Sequence, residues 1–549
     1  MSGPLPPNTM RSLPLAVLLA AALAGSSSSA SVAADREALP HLVHQGAHHA
    51  LIVDGKPFLI LGVQAGNSSA WPAMMPKVWP AVDFVHANTL EIPIYWEQFE
   101  PLPGAFDTSM VNTLIRQARE HHVRLVLLWF GTWKNGSSHY LPAWMKQEPE
   151  KYPRIIGVHG RRVDSPSPHA PATLAADIHA FRALMRHLRE FDREHTVIMV
   201  QVENEPGSWD TIRDYSPAAE KLFAGPVPAD LLRALGTSAP ASVGWAAAFG
   251  SNADEYFHAW SVAHFIGQVA AAGKAEYPLP LYCNAALRDP LTPPPAGQYE
   301  SGGPTDNVLT IWKAAAPAID ILSPDIYMSD GPRYQKVLEL YSRPDNPLFV
   351  PETIGAGALT RYCFAALGHG AIGWSPFGVD YTNYANSPIG APFLNEEKLA
   401  PLALNFRLLG PIGREVARLN FEGRLQAAVE EKDAPTQTLT FGRWKAVVTY
   451  GVPAFGFGRD PKGNPEPIGR VLIAQTADDE FLVAGYFCRV DFRLKDDATT
   501  AQREYRHVVE GTYEQDVFQP VRVWNGDQTD WGLNFSSVPQ VLRVQLGTY

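Results

Sequence analysis

Short apolar runs punctuate the chain between about residues 50 and 380, at 58–63, 84–94, 124–130, 197–202, 281–285, 319–327, 347–352 and 371–377. Each is rich in β-branched or large apolar side chains and too short for a helix, which predicts buried strands. Between them, 110–121, 175–193, 256–272 and 359–368 carry a helical period. Eight buried strands alternating with helices are what a (β/α)8 TIM barrel of the α/β class requires. A doubly wound open sheet is the alternative, but no glycine-rich nucleotide loop follows any of the runs. Two long insertions, 132–171 and 208–254, are expected to emerge beyond strand C-terminal ends and wall a pocket. After about Pro401 the pattern changes. Runs at 439–449, 470–476, 480–487 and 517–524 predict strands separated by turns, with 458–467 dense in Gly, Pro and charge like a hairpin tip. The expected organisation is a catalytic barrel over 35–400 and a smaller β-sandwich-like domain over 401–549.

Composition narrows this picture modestly. With 549 residues, two domains are expected, and 46% hydrophobic with 18% charged residues describes an ordinary globular chain. A formal net charge of -11 argues against general nucleic-acid binding, which needs a basic surface. Aromatic residues reach 11%, with 14 Trp, which permits a carbohydrate site without requiring one. Arg11, the apolar stretch 13–24 and the small residues ending Val32-Ala33-Ala34 have the layout of a secretory signal over 1–34. The expectation is therefore an exported protein, periplasmic or secreted, with no membrane association after signal cleavage. The 3 Cys (Cys283, Cys363 and Cys488) do not suggest a disulfide framework. His41, His44, His48 and His49 lack carboxylate or Cys support at a metal-site spacing, so no metal and no organic cofactor is expected.

The chemistry is concentrated in two strand ends. Val197-Ile198-Met199-Val200 runs into Gln201-Val202-Glu203-Asn204-Glu205-Pro206, and Leu348-Phe349-Val350 runs into Pro351-Glu352. Each places a carboxylic acid at the C-terminal tip of a buried parallel strand, where barrel enzymes keep their catalytic groups. Glycosidic cleavage with retention needs one carboxyl to protonate the leaving oxygen and one carboxylate to attack the anomeric carbon, about 5–5.5 Å apart. Opposite walls of a barrel can hold such a pair despite a large separation in sequence. Glu205 is the candidate acid and Glu352 the candidate nucleophile.

The string Gln201-Val202-Glu203-Asn204-Glu205 followed by Gly207 resembles the acid/base signature of glycoside hydrolase family 35 β-galactosidases. Asn88-Thr89-Leu90, Trp96 with Glu100-Pro101, Gly104-Ala105-Phe106-Asp107 and Leu141-Pro142-Ala143-Trp144-Met145 are similar to further strings of that family. The chain departs from it at Pro93 and Phe99, in Phe130-Gly131-Thr132-Trp133 where the family has a sugar-binding string, and in Pro351-Glu352-Thr353-Ile354-Gly355 around the nucleophile. It is most similar to a divergent bacterial subgroup with a distinct C-terminal domain, some members of which trim galactose from xyloglucan. The resemblance implies the acid/base after the fourth strand, the nucleophile after the seventh, and an oligosaccharide or polysaccharide substrate bearing terminal β-galactosyl residues. The alternatives are another β-glycosidase of the clan (an arabinopyranosidase or an endo-glucanase) and a non-catalytic glycan-binding barrel.

Several further residues are candidate substrate contacts. Asn204, beside the acid, suits the 2-hydroxyl of the reacting sugar. Tyr327, ending the sixth run, is placed to orient Glu352, and Trp374 on the eighth run is a candidate stacking floor. Glu91, Tyr95 and Glu97, on or just after the second run, are expected at the pocket rim, with Trp129 and Trp133 as weaker candidates.

Overall fold

The computed structural model describes residues 39–382, 393–451, 462–496 and 499–549. The signal-like segment 1–34 lies outside these residues, as does the start of the 458–467 turn. The chain enters through a three-stranded antiparallel sheet, β1 (His41–Gln45), β2 (His48–Val53) and β3 (Lys56–Phe58). His41, His44, His48 and His49 belong to its first hairpin, with His44 opposite His49.

Eight parallel strand positions then close into a barrel. They are β4 (Ile60–Gln64), β5 (Thr89–Tyr95), β6 (Arg124–Lys134), β9 (Val197–Asn204), β10 (Leu281–Ala286), β11 (Ile321–Ile326), the pair β12 (Phe349–Val350) and β13 (Glu352–Thr353), and β14 (Gly373–Trp374). β7 (Arg154–Ile156) and β8 (Arg162–Pro166) form a separate hairpin in the first insertion. The parallel sheet runs β12-β14-β4-β5-β6-β9-β10-β11-β13, so its two ends are the two halves of one segment, 349–353. Pro351, which has no N–H to give to a ladder, divides that segment; its first half pairs with β14 and its second with β11. Closure places every strand C-terminus on one face.

The helices fall near the expected segments, as Ser109–Glu120, Pro171–Phe191 and Ala253–Glu276. The run expected as strand from residue 84 starts later, at Thr89, because Met75–Val85 is a helix that ends at His86 in the left-handed conformation (φ 59°). Region 401–421 is also helical. The helix Glu396–Phe421 crosses the expected 400/401 boundary despite Pro401 and Pro411. Pro401 lies in its second turn, close to the end whose N–H groups lack partners in any case, and Asn395 caps the start by accepting from the Lys398 N–H at 3.0 Å.

From Leu425 onward the regular elements among the described residues are nearly all β. β15 (Leu425–Val429), β18 (Arg470–Ala477), β19 (Glu480–Tyr486), β24 (Gln540–Thr548), β21 (Arg503–Glu514) and β22 (Val517–Val523) form a six-stranded sheet in that order. β16 (Thr436–Phe441), β17 (Trp444–Tyr450), β20 (Cys488–Leu494) and β23 (Leu533–Phe535) form a four-stranded one. Alternation along β18 and β19 decides how the two sheets and the barrel fit together. Val471, Ile473, Phe481 and Val483 pack against Trp444, Ala446 and Phe492 of the smaller sheet, making a sandwich. Leu472, Ala474, Leu482 and Ala484 belong instead to the large core shared with the barrel. A sheet whose opposite faces are both apolar is buried on both sides. All three cysteines are buried free thiols, and no helix among the described residues is long and apolar enough to cross a membrane.

Candidate active site

Glu205 and Glu352 come together at the C-terminal mouth of the barrel, with a third carboxylate, Asp325, between them. One oxygen from each lies within 4.8 Å of the other two. Local backbone puts each there. β9 ends in an irregular stretch where Glu203 (φ 63°) and Glu205 (φ 41°) both take positive φ, which non-glycine residues seldom adopt. Their surroundings over-determine them. The Trp133 N–H donates to Glu203 Oε2 at 2.7 Å, and the Glu205 N–H donates to Asn284 Oδ1 at 2.9 Å. Gly207 follows at φ 146°, where a Cβ would overlap the carbonyl of Ser301. Glu352 instead sits in register with Asp325 on the neighbouring strand.

The two glutamates have different surroundings, and this separates their chemistry. Tyr327 donates its hydroxyl to Glu352 Oε1 at 2.5 Å, and Gln64 Nε2 donates to Oε2 at 3.3 Å. Donors on both oxygens fix the orientation of the Glu352 carboxyl. Burial, followed by the nearby Glu352 charge, pushes Glu205 up to about 7, so it holds a proton near neutrality. Lys134 opposes this shift only in part. Asp325 is raised well above the carboxylate range, by burial and then by Glu352 and Glu205. Three carboxylate oxygens at this spacing could also surround a cation. Ligation requires ionised carboxylates, and burial, which favours the neutral forms of Glu205 and Asp325, works against it.

Asn204 is fully buried, with its Oδ1 accepting from Lys134 Nζ at 2.8 Å while its Nδ2 has no partner. That arrangement fixes the amide orientation and leaves one donor free beside the acid. The Lys134 ammonium is buried in turn, bonded also to Asn135 Oδ1 at 2.5 Å. Asn284 ties the floor together, donating from Nδ2 to Asp325 Oδ2 at 2.6 Å while accepting from Glu205.

Other candidates are placed differently from expectation. Trp374 is not a stacking floor: its ring is 0% exposed and its Nε1–H donates to Tyr334 on the helix Gly331–Tyr341, outside the barrel. Alternation turns its neighbour Ser375 inward instead, toward Glu91. Glu91 is not at the rim. It is fully buried inside the barrel, accepts from Tyr282 Oη at 3.0 Å, and burial raises it to about 8. Tyr95 is 2% exposed, its ring stacked on Tyr140 at 5.4 Å and its hydroxyl accepting from the Ala70 N–H. Glu97 pairs with Lys146 at 3.3 Å, while Trp129 and Trp133 are buried, their indole N–H groups given to Asp177 and Ser165.

Gln64, Lys134, Asn284, Asp325 and Glu300 were missed in the sequence. Asp325 carried a usable signal: it stands two residues before Tyr327, and period two puts both on one face of the strand. Lys134 ends β6 and Glu300 lies in the long loop between β10 and the helix Leu309–Ala315, and no local pattern announces them.

Residues 402–536 match a family described as a domain of unknown function (DUF5597), a span that lies outside the site. No curated protein matches the chain. Among solved structures, a β-galactosidase from Rahnella sp. R3 is 16% identical over 69% of this chain and 59% of that one, with a TM-score of 0.47. The catalytic domain of a β-amylase from Paenibacillus polymyxa is 13% identical over 61% of this chain and 95% of that one, with a TM-score of 0.46. A β-galactosidase from Bacillus circulans sp. alkalophilus is 11% identical over 88% of this chain and 99% of that one, also at 0.46. Likeness at this level leaves the function to the site itself.

Proposed function

We propose that the protein is a retaining β-glycosidase. One observation carries this reading: Glu205 and Glu352 approach within 4.8 Å at the barrel mouth, Glu205 protonated near neutrality and Glu352 held by two donors. Inverting enzymes need their carboxyls about 6.5–9.5 Å apart to admit a water, so the shorter spacing favours double displacement.

In the first step the Glu352 carboxylate attacks the anomeric carbon while Glu205 transfers its proton to the glycosidic oxygen, releasing the leaving group as an alcohol. A covalent glycosyl ester on Glu352 results, and Glu205 is left ionised. In the second step Glu205 takes a proton from water as that water attacks the anomeric carbon, which frees Glu352 and restores the acid. The unpartnered Asn204 Nδ2 is the donor suited to the sugar's 2-hydroxyl, a contact that strengthens in the transition state.

The finer reading is an exo-β-galactosidase of the family 35 type, exported and acting on plant-type oligosaccharides, and it rests on the Gln201–Glu205 string. An arabinopyranosidase or an endo-glucanase would use the same pair, and a panel of nitrophenyl glycosides separates them. Replacing Glu352 with Gly should lower turnover by roughly 10^4- to 10^6-fold, the scale seen when a nucleophile is removed. Azide should then restore part of it as a glycosyl azide. Unchanged turnover in that variant would rule out Glu352 as the nucleophile, whereas sugar binding by the wild type without hydrolysis would favour the glycan-binding barrel.

A further inference from the structure

The loops above Glu205 build a feature that the double displacement does not use. A turn closes at Lys134–Ser137, where the Lys134 N–H donates to the Ser137 carbonyl at 2.9 Å, and its Gly136 N–H donates to the Glu205 carbonyl at 2.8 Å. The segment after the acid is bridged to a second loop by a reciprocal pair, Ser208 N–H to Ser301 O at 2.9 Å and Ser301 N–H to Ser208 O at 3.0 Å. Trp209 and Glu300 flank that bridge, and both reach Gly136. A Cβ built on Gly136, whose φ is +64°, would overlap Glu300 Oε1 and lie 3.0 Å from Trp209 Cδ1. Three loops therefore converge on a position that only glycine fits.

Outside this junction opens a cavity of about 650 Å³, lined by Gly136, Ser137, Arg161, Asp164, Trp209 and Asp210 among others. Its size falls within the range of about 300–1,000 Å³ usual for ligand sites. The Trp209 ring is 47% exposed, in contrast to Trp96, Trp129, Trp133, Trp312, Trp374 and Trp444, which are all fully buried. An exposed indole on a wall held by a backbone bridge offers a fixed, flat apolar surface, the complement of the C–H face of a sugar ring. The lining carries charges of both signs along with Ser137, which suits a hydroxyl-rich neutral ligand better than an ion. Behind Gly136, Glu300 is 2% exposed with neither carboxylate oxygen partnered, so the wall holds unspent hydrogen-bonding capacity.

We infer that this cavity is the leaving-group subsite, with Trp209 as its platform, and that the enzyme is built for a carbohydrate leaving group of one or more rings. The inference rests on the glycosidase reading: the acid protonates the leaving oxygen, so the leaving group lies on the acid's side, and Gly136, which lines the cavity, donates its N–H to the main-chain carbonyl of Glu205.

The test compares wild type, Trp209→Ala and Trp209→Phe on two substrates that share a non-reducing galactose, β-galactosyl fluoride and a β-galactosyl oligosaccharide. Trp209→Ala should lower kcat/KM on the oligosaccharide by about tenfold or more relative to the fluoride, whose leaving atom is too small to reach the platform, with Phe restoring most of that difference. Equal losses on both substrates, or none on the oligosaccharide, would overturn the subsite and leave the glycosidase reading intact. If wild type hydrolyses neither these nor any other β-glycoside, the glycosidase reading falls and the subsite falls with it.

Discussion

Among the places where charged and polar side chains are buried, the mouth of the barrel and the Arg470 cluster at its junction with the sandwich are treated in opposite ways. At the junction Arg470 is 2% exposed, yet its guanidinium donates to the Ile468 carbonyl, Thr360 Oγ1 and Asn405 Oδ1 at 2.9, 2.9 and 3.1 Å. Asn405 also accepts from Tyr486 at 2.7 Å and donates to the Thr360 carbonyl at 2.8 Å. At the mouth, Asn204 Nδ2, Asp325 Oδ1 and both oxygens of Glu300 have no partner. Buried polar groups are normally satisfied, because leaving one unpaired costs about 1–3 kcal/mol. The junction network follows that rule and holds two parts of the chain together. The mouth departs from it where a substrate's hydroxyl groups would complete the set, as active sites commonly do.

This contrast can be broken experimentally. Glu205→Gln should lower kcat on a glycoside with a poor leaving group by about 10²- to 10⁴-fold, and less on a nitrophenyl glycoside, which needs little protonation. Steady-state rates on the two substrates check it; an equal loss on both would remove Glu205 from the acid role. Tyr327→Phe removes a hydrogen bond to a charged acceptor, about 1.5–3 kcal/mol, so activity should fall by about ten- to a hundredfold with little change in melting temperature. Asn405→Ala should do the reverse. It strips acceptors from buried Arg470 and Tyr486, so denaturant unfolding should report a loss of about 1–3 kcal/mol while kcat of the folded enzyme is unchanged. A junction variant that lost activity without losing stability would erase the distinction.

Two smaller effects concern pH. With Glu205 raised to about 7, kcat/KM should decline above that value as the acid loses its proton, and Lys134→Met should move this alkaline limb to higher pH because the cation holds Glu205 down. For stability the sign follows from linkage. A carboxyl raised on folding favours the native state below its unfolded value of about 4.3, and that contribution is lost as pH rises through about 7. Melting temperature measured across this window should therefore fall less steeply with pH in Glu205→Gln than in wild type.

Much of the fold was legible because buried parallel strands must be continuously apolar, and the eight runs found by pattern are the eight positions of the closed barrel. The errors came where two signals coincide. The apolar end of the helix Met75–Val85 runs almost directly into β5, and Pro401, which reads as a break in sequence, falls in the second turn of the helix Glu396–Phe421, where a missing N–H costs less. Trp374 was misjudged for a different reason. Aromatic identity says nothing about which face of a strand a side chain takes, and here Ser375 faces inward while Trp374 packs on a helix.

The sequence by itself determined the strand order, the two strand-end glutamates and the asparagine beside the acid, because each is written in a contiguous string. Closure of the barrel decided the rest. Only closure could set Asp325 between Glu205 and Glu352, bring Lys134 to Asn204 and Gln64 to Glu352, and gather Gly136, Trp209 and Glu300 around one glycine. These residues come from different strands and loops, and their protonation depends on the distances between them, which no local pattern encodes.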